Sequence, residues 1–500
     1  MLAEPVIAGH GAAMRRLFAA LLLAAVGLLP AGCHPQPQGS MRAIVIGDEP
    51  KLRDPALGPL PPSDAVLLEN VAQGLVRFDA NGNIVAGLAE RWNVSDDGLS
   101  YLFRLASMNW PDGKKITAQQ VAKLLKRQLA DHSQNPFKDS LGAVDDVVAM
   151  TDRVLEIRLL APRPNLLSIL AQPELSILRG NIGTGPFQAV PTGAAGGELR
   201  LTREIQDTDE EEPRREQVLL AGDNVQKAIG EFDLSQADLV LGGTFLDLPF
   251  AQRAKLPRGA LHYDPASGLF GLVPVNASGP FVDPNVRRLL SQALDRANFI
   301  NALGVPGLAA RATLLEPGLD GTPAPVQPAW FATAFTDRLA ALRAQADRQF
   351  GKAKPTIRVA LPDGPGADLL LQELVRDWGA IGLTVQRAER GTPADFALID
   401  EVAPSTSPSW FARHFRCDAA VICDDQADAL MAAARETPVP QQRYALLAQA
   451  AARIDDAQLF IPIAAPVRWS LVSGRVQGFA GNRYARHTLT GLEQQAGTED

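Results

Sequence analysis

Alternating apolar and polar positions mark the first elements of this chain. In "YLFRL" (101–105) Tyr101, Phe103 and Leu105 fall on one face of an extended segment. In "VLEIRLL" (154–160) Leu155, Ile157 and Leu159 do the same, with Glu156 and Arg158 opposite. Between them the period lengthens. "TAQQVAKLLKRQLADH" opens with Thr117 and carries Gln120 three residues later, the two halves of a capping box. Val121, Leu124, Leu125 and Leu129 then line one helical stripe. Asp97-Gly98 in "AERWNVSDDGLSYLFRL" predicts a hairpin turn, and "WPDG" (110–113) a second turn before the capped helix. Trp92 and Trp110 are the predicted anchors of this small lobe.

The pattern restarts near residue 272. "VDPNVRRLLSQALDRANFI" places Asp283 as a cap and Pro284 at the first helical position, and Val286, Leu289, Leu290, Ala293, Leu294 and Ala297 follow the helical period. After the Pro-rich loop "EPGLDGTPAPVQP", "TIRVAL" reads as a strand, "ADLLLQELVRDWGAIG" as a helix and "LTVQRAE" as a strand. This order predicts an α/β lobe with parallel pairing. "QQRYALLAQAAARIDDA" is a further amphipathic helix, and "LFIPIAA" a buried strand after it. The charge run "DTDEEEPRREQ" (207–217) reads as a solvated loop.

The chain has 500 residues, too many for one simple core, so two or three domains are expected. The formal net charge is −8 and the basic residues are scattered, which argues against a nucleic-acid partner. No GxSxG, HExxH or convincing nucleophile–base pair occurs, and the six histidines are widely spread. No catalytic residue, metal or cofactor is therefore expected.

The N-terminal region carries an address. From Met14, Arg15 and Arg16 precede an uncharged apolar run, Leu17 to Leu29, too short for a membrane span of ~20 residues. Ala31-Gly32 before Cys33 resembles a bacterial lipobox, with Pro30 where the pattern prefers leucine. The resemblance implies signal removal and lipid on Cys33; the other reading is a plain secretory signal. Met14 makes a complete signal without residues 1–13, so it is the favoured start over Met1. Residues 34–40 read as a flexible tether. In an exported chain, the remaining pair Cys417 and Cys423 reads as a disulfide. Zinc is a poorer fit, with His414 the only nearby extra ligand, and two buried free thiols are the third possibility.

Four stretches, in order, resemble the extracellular solute-binding proteins of ABC importers, in the dipeptide/oligopeptide/nickel group (family 5). The first is residues 70–127, with Gly74-Leu75, Asp79, Gly82, Gly87-Leu88-Ala89, Trp92, "SDDGLSY", Phe103, "WPDGKKITA" and Val121. The others are "GTGPF" (183–187), "NASGPFVDPNVRRLLSQALDR" (276–296) and residues 411–464, where dipeptide-binding members carry a local disulfide. The resemblance implies an α/β, type II periplasmic-binding-protein-like architecture: two lobes with a ligand cleft and a smaller accessory domain. Lobe I would comprise 41–63, 178–265 and 475–495, the accessory domain 64–177, and lobe II 266–474. It further implies hinge closure on a peptide-like or other small polar solute, and delivery to a permease and ATPase. The protein would be a monomer in the periplasm or cell envelope, touching the membrane only through its lipid. An orphan or sensory receptor is the competing reading.

Many peptide-binding members hold the solute's α-amino group with an aspartate just before the region of residue 411. Here "DEVAPSTSPSWF" offers no carboxylate between Glu401 and Asp418. A buried ammonium without a paired charge costs several kcal/mol, so ordinary free-amine binding is not expected unless Asp400 or Glu401 substitutes. Trp410 is a candidate for stacking on a ligand, Arg413 for receiving a carboxylate, and His414 a weak candidate for a chelated metal. The loop "DPALGPLPP" (54–62) aligns with a ligand-edge loop. Only four tyrosines occur, so a tyrosine-lined cleft is not expected.

Overall fold

The computed structural model describes residues 40–193, 197–205 and 213–494. The predicted signal, Cys33 and residues 34–39 of the tether lie outside the described residues. Among those described, no helix is long and apolar enough to cross a membrane.

Three sheets organise the chain. A seven-stranded sheet runs in the order Leu261–Tyr263, Arg468–Val472, Leu239–Thr244, Ser40–Ile46, Arg214–Asp223, Leu199–Ile205, Gln188–Pro191. A five-stranded sheet runs Thr384–Arg387, Thr356–Ala360, Phe396–Val402, Gly268–Pro274, Ile461–Ala464. Thr356–Ala360 pairs in parallel with both of its neighbours. The helix Pro365–Ala380 makes the crossover, as the strand–helix–strand pattern predicts.

The third sheet is antiparallel: Ala89–Val94, Ser100–Leu105, Val154–Leu159, Val144–Ala149. Tyr101, Phe103, Leu105, Leu155, Ile157 and Leu159 all bury their side chains on one face. The helix Ala118–Leu129 lies against it, with the Thr117/Gln120 capping box formed. Trp110 sits in this core, and its indole N–H donates to Gln120 Oε1 at 3.0 Å. Trp92 is only partly buried at the edge of that cluster, because its strand faces solvent on most of its positions.

Two sequence expectations need correction. The long helix expected from Pro284 is two helices, Pro284–Gln292 and Arg296–Leu303. The break falls where Asp295 turns to cap the second, accepting from the Asn298 N–H at 3.2 Å. The second half of the charge run is not loop, since the strand Arg214–Asp223 begins inside it. Arg214 and Arg215 are exposed, while the half-buried Glu216 is paired across the ladder with Arg203 at 2.5 Å.

The "NVRRLLSQALDR" stretch owes much of its character to packing. Arg287 is 1% exposed and donates to four backbone carbonyls, those of Phe281, Val282, Ala457 and Gln458. Arg296 donates to the carbonyls of Pro462 and Ser291. Burial pulls Arg287 down to about 10 and Arg296 to about 9, so both remain charged at neutral pH. Each guanidinium replaces water for carbonyls that no ladder satisfies.

The chain passes between the two large sheets at two short segments. One joins Leu261–Tyr263 to Gly268–Pro274 through residues 264–267. The other joins Ile461–Ala464 to Arg468–Val472 through residues 465–467. The strand Arg468–Val472, expected in the second lobe, therefore belongs to the first lobe's sheet. One apolar cluster continues past these crossings, from Ile44 and Val240 to Phe270, Leu272 and Val359, by way of Phe245 and Trp469. Phe245 and Phe270 meet edge to face with centroids 4.8 Å apart.

Candidate ligand cleft

The crossings fix a polar cluster between the sheets. Arg468 is the first residue of its strand, one step past a crossing. Its Nη1 lies 2.9 and 3.0 Å from the two Asp400 carboxylate oxygens, and its Nη2 donates to the Asp400 carbonyl at 3.1 Å. Asp400 stands on Phe396–Val402, so the pair ties the two sheets together. Burial pushes the Asp400 carboxyl up, against the pull of Arg468. At the other crossing Asp264 accepts from the Asn482 backbone N–H at 2.9 Å and lies 3.0 Å from His487 Nε2.

The segment after Phe396–Val402 runs from lobe II toward the accessory sheet. Gln172 Nε2 donates to the Pro404 carbonyl at 3.0 Å, and Thr406 Oγ1 lies 3.3 Å from Asn165 Oδ1 and 2.8 Å from Asp320 Oδ2. Arg486 donates from Nε to Gln172 Oε1 at 3.2 Å and from Nη2 to Glu174 Oε1 at 2.8 Å. Thus residues 165–174, 403–407 and 486, distant in sequence, form one hydrogen-bonded seam.

Behind the seam is a cavity of about 60 Å³ lined by Val45, Ala65, Glu69, Gly242, Arg486 and His487, among others. Glu69, on the helix Pro62–Val71, also lines a neighbouring space of about 10 Å³. Either space is far smaller than a peptide. No described residue hydrogen-bonds or ion-pairs with the Glu69 carboxyl. Burial pushes it up to about 8, opposed by Arg486 and Arg77 and reinforced by Glu174. The folded chain therefore holds this proton up to about pH 8, whereas an unfolded chain releases it near the ordinary 4.5. Between those values the native state binds more protons, so this group's contribution to stability falls as pH rises. Glu69→Gln is expected to raise stability by under about 1 kcal/mol at pH 5 and by ~4 kcal/mol at pH 8.5. Chemical denaturation at both pH values checks this. An equal difference between variant and wild type at the two pH values would refute it.

The family model of the middle region of bacterial extracellular solute-binding proteins, family 5, matches residues 83–394. The chain belongs to that family. Among curated family 5 relatives, the oligopeptide-binding protein OppA of Bacillus subtilis is 23% identical over 47% of this chain and 49% of its own length. A probable di/tripeptide-binding protein of Pseudomonas aeruginosa is 25% identical over 83% of this chain and 88% of its own. The match thus spans about half of the first relative and most of the second. Among solved structures, Haemophilus influenzae OppA in complex with RPPGFSPFR superposes with a TM-score of 0.75 at 17% identity, covering 91% of this chain and 99% of that one. The Escherichia coli murein tripeptide binding protein MppA gives 0.76 at 18%, covering 91% and 99%. AgaA of A. tumefaciens, in complex with agropinic acid, gives 0.71 at 18%, covering 92% and 99%. The fold is that of the type II periplasmic binding proteins, α/β with two lobes and an accessory domain.

Within this family 5 framework the sequence-derived site residues fall as follows. Trp410, read from the sequence equally as a ligand-stacking or a core residue, is 5% exposed and packs edge to face on Phe411 and His414 in the lobe II core. Asp400 is taken by Arg468. Glu401 lies 3.2 Å from His414 Nε2, and that hydrogen bond draws its carboxyl down. His414 is further held through Nδ1 to the Trp410 carbonyl at 2.8 Å, which leaves it no free ring nitrogen for a metal. Arg413 ends the helix Pro408–Arg413 and reaches the accessory domain, where Nη1 donates to Ser140 Oγ at 2.5 Å. Burial pulls its guanidinium down, though Asp139 and Glu401 oppose this. Cys417 and Cys423 are joined in a disulfide, Cα atoms 5.1 Å apart, closing the loop after that helix. Two sulfurs bonded to each other offer no thiolate to a metal.

Arg468, Gln172, Arg486 and Glu69 were not singled out from the sequence. Arg468 meets Asp400 across 68 positions, and Gln172 meets Pro404 across 232. Neither pair leaves a local periodic signature. Glu69 carried the one available signal: a charged residue between Leu68 and Asn70 in an otherwise apolar helix stretch.

Proposed function

We propose that this chain is the solute-receiving subunit of an ABC importer, anchored at the cell envelope by lipid on Cys33, working as a monomer and without catalysis. The observation that carries the reading is the pair of short crossings, 264–267 and 465–467, as the chain's route between two separate sheets. Such a joint permits hinge closure, and a solute touching both lobes selects the closed form. The working boundaries are 41–63, 178–265 and 468–494 for lobe I, 64–177 for the accessory domain, and 266–467 for lobe II. The peptide-binding names of the relatives support a peptide-like solute, and the agropinic acid complex extends the fold's range beyond peptides.

The cleft's charges refine the choice. Asp400 is held by Arg468 and Glu401 shares one oxygen with His414, so a free α-amino group finds only the exposed, partly engaged Glu401 in this segment. Among the described residues Arg413 has one side-chain hydrogen bond, to Ser140, and further N–H donors to give. A solute anchored by its carboxylate, with a blocked or absent ammonium, fits this arrangement. Mass spectrometry of small molecules released from natively purified protein, followed by melting with a panel of candidates, tests it. An acidic or N-blocked solute that raises Tm is the expected result. Free-amine dipeptides and tripeptides as the strongest stabilisers would overturn the selectivity; no response across the whole panel would overturn the binding role. Loss of uptake on deletion separates an importer subunit from a sensory receptor.

A further inference from the structure

Many arginines in this acidic chain have no carboxylate partner among the described residues, and three of these lie close together. Arg163 lies in the loop after the accessory strand Val154–Leu159, Arg435 in the last turn of the helix Asp425–Glu436, and Arg443 in the first turn of the helix Pro440–Asp456. Nη1 of Arg163 donates to the Pro162 carbonyl at 3.0 Å, and Nη1 of Arg443 donates to the same oxygen at 2.6 Å. Two guanidiniums therefore converge on one neutral acceptor. Arg443 makes its other bonds to the carbonyls of Thr437 and Pro438. Among the described residues none of the three forms an ion pair, and Arg435 has no hydrogen-bond partner.

The three form a gradient: Arg443 is buried, Arg163 half-buried and Arg435 exposed. The start of the helix Pro440–Asp456 adds to the positive field, because Val439 at its N-cap supplies no side-chain acceptor. The cost of the convergence is visible in Arg163, drawn down to about 10 by burial and then by Arg443 and Arg435. Two guanidiniums drawn onto one carbonyl oxygen and partly withdrawn from water, with an exposed third charge nearby and no carboxylate partner among the described residues, are stabilised by an anion from outside.

We propose that Arg163, Arg435 and Arg443 form an oxyanion site for a phosphate-type dianion, lying where the accessory domain meets lobe II. Guanidinium forks match such an oxyanion with paired N–H donors, and a dianion balances three positive charges better than a monoanion does. Arg163 belongs to one domain and the other two to the second lobe, so an occupied site clamps the closed arrangement at its outer edge. The inference does not depend on which solute the cleft holds. Free phosphate and the phosphate of a lipid headgroup share this chemistry.

The test uses the mature chain and the double variant Arg163→Gln/Arg435→Gln, which leaves Arg443 and its backbone bonds in place. Melting is followed against inorganic phosphate with ionic strength held constant by chloride. A parallel arm measures co-sedimentation with phosphatidylglycerol vesicles, using phosphatidylcholine vesicles as the control. Wild type is expected to gain about 2 °C at roughly ten times its Kd. The variant is expected to need at least ~10-fold more phosphate for the same gain. In phosphate-free buffer it should melt no lower than wild type, because self-repulsion has been removed. Vesicle binding lost in the variant, with no response to free phosphate in the wild type, assigns the same site to a headgroup. A variant that responds to phosphate as wild type does, or one that melts lower without phosphate, overturns the proposal; so does a wild type indifferent to both probes.

Discussion

Gly268→Ala is expected to destabilise the protein by ~3–5 kcal/mol. Gly268 opens the strand Gly268–Pro274 directly after a crossing and sits opposite Val402. Its φ is +154°, a conformation that a side chain disfavours. A Cβ there would lie 2.0 Å from the Glu401 carbonyl oxygen and 3.0 Å from the Ala403 N–H nitrogen. Both obstacles are backbone, so relief requires parting the two strands beside Asp400. Urea denaturation measures the loss. Gly230→Ala is the control: Gly230 lies in the helix Val225–Asp233 with no atom within 4 Å of its added Cβ, and this variant should be neutral or slightly more stable. A Gly268→Ala protein within 1 kcal/mol of wild type would contradict the close approach.

Asp400→Ala is expected to cost ~3 kcal/mol, near the lower end for breaking a buried ion pair, since both side chains retain some exposure. Arg468 would lose two short contacts to carboxylate oxygens and keep only carbonyl acceptors, its own neighbour's and that of residue 400. Asp400→Asn should cost less, because an oxygen acceptor remains although the counter-charge does not. Arg468→Met combined with Asp400→Leu should recover much of the stability by replacing the pair with apolar volume. If Asp400→Ala were as stable as wild type, the pair would be an exposed one worth under about 1 kcal/mol. In that case Asp400 would be free to meet a solute ammonium, and the expected preference for carboxylate-anchored solutes would fail with it.

These two predictions concern positions that differ in how openly the sequence displays them. The accessory sheet was readable because each of its elements states its own face: Tyr101, Phe103 and Leu105 alternate, and Thr117 with Gln120 announces a helix start. The parallel unit around Pro365–Ala380 was readable for the same reason. The break at Asp295 was not, because Leu294 and Ala297 continue the helical period on either side of it, and only the carboxylate's turn toward Asn298 ends the first helix. The charge run at 207–217 misled because charge is compatible with a strand whenever a partner strand pairs it, as Glu204 and Arg215 do across the ladder. Among site residues, the cysteine pair was visible as chemistry within one loop. The roles of Asp400, Glu401 and Trp410 were not, because each is decided by a neighbour from another part of the chain: Arg468, His414 and the lobe II core.

The apolar cluster that passes from Ile44 and Val240 to Phe270 and Val359 has a kinetic consequence. Parting the lobes near the crossings would expose Phe245, Phe270 and Trp469 to water, at roughly 25 cal/mol for each Å² uncovered. The inexpensive motion is therefore a tilt that leaves this apolar cluster shut and parts contacts away from the crossings, such as Arg443 on the Pro162 carbonyl. Under the proposed hinge closure, release of a held solute then waits on such peripheral contacts. On that reading, substitutions at Arg443 should change the off-rate of a bound solute more than its contacts with the lobes.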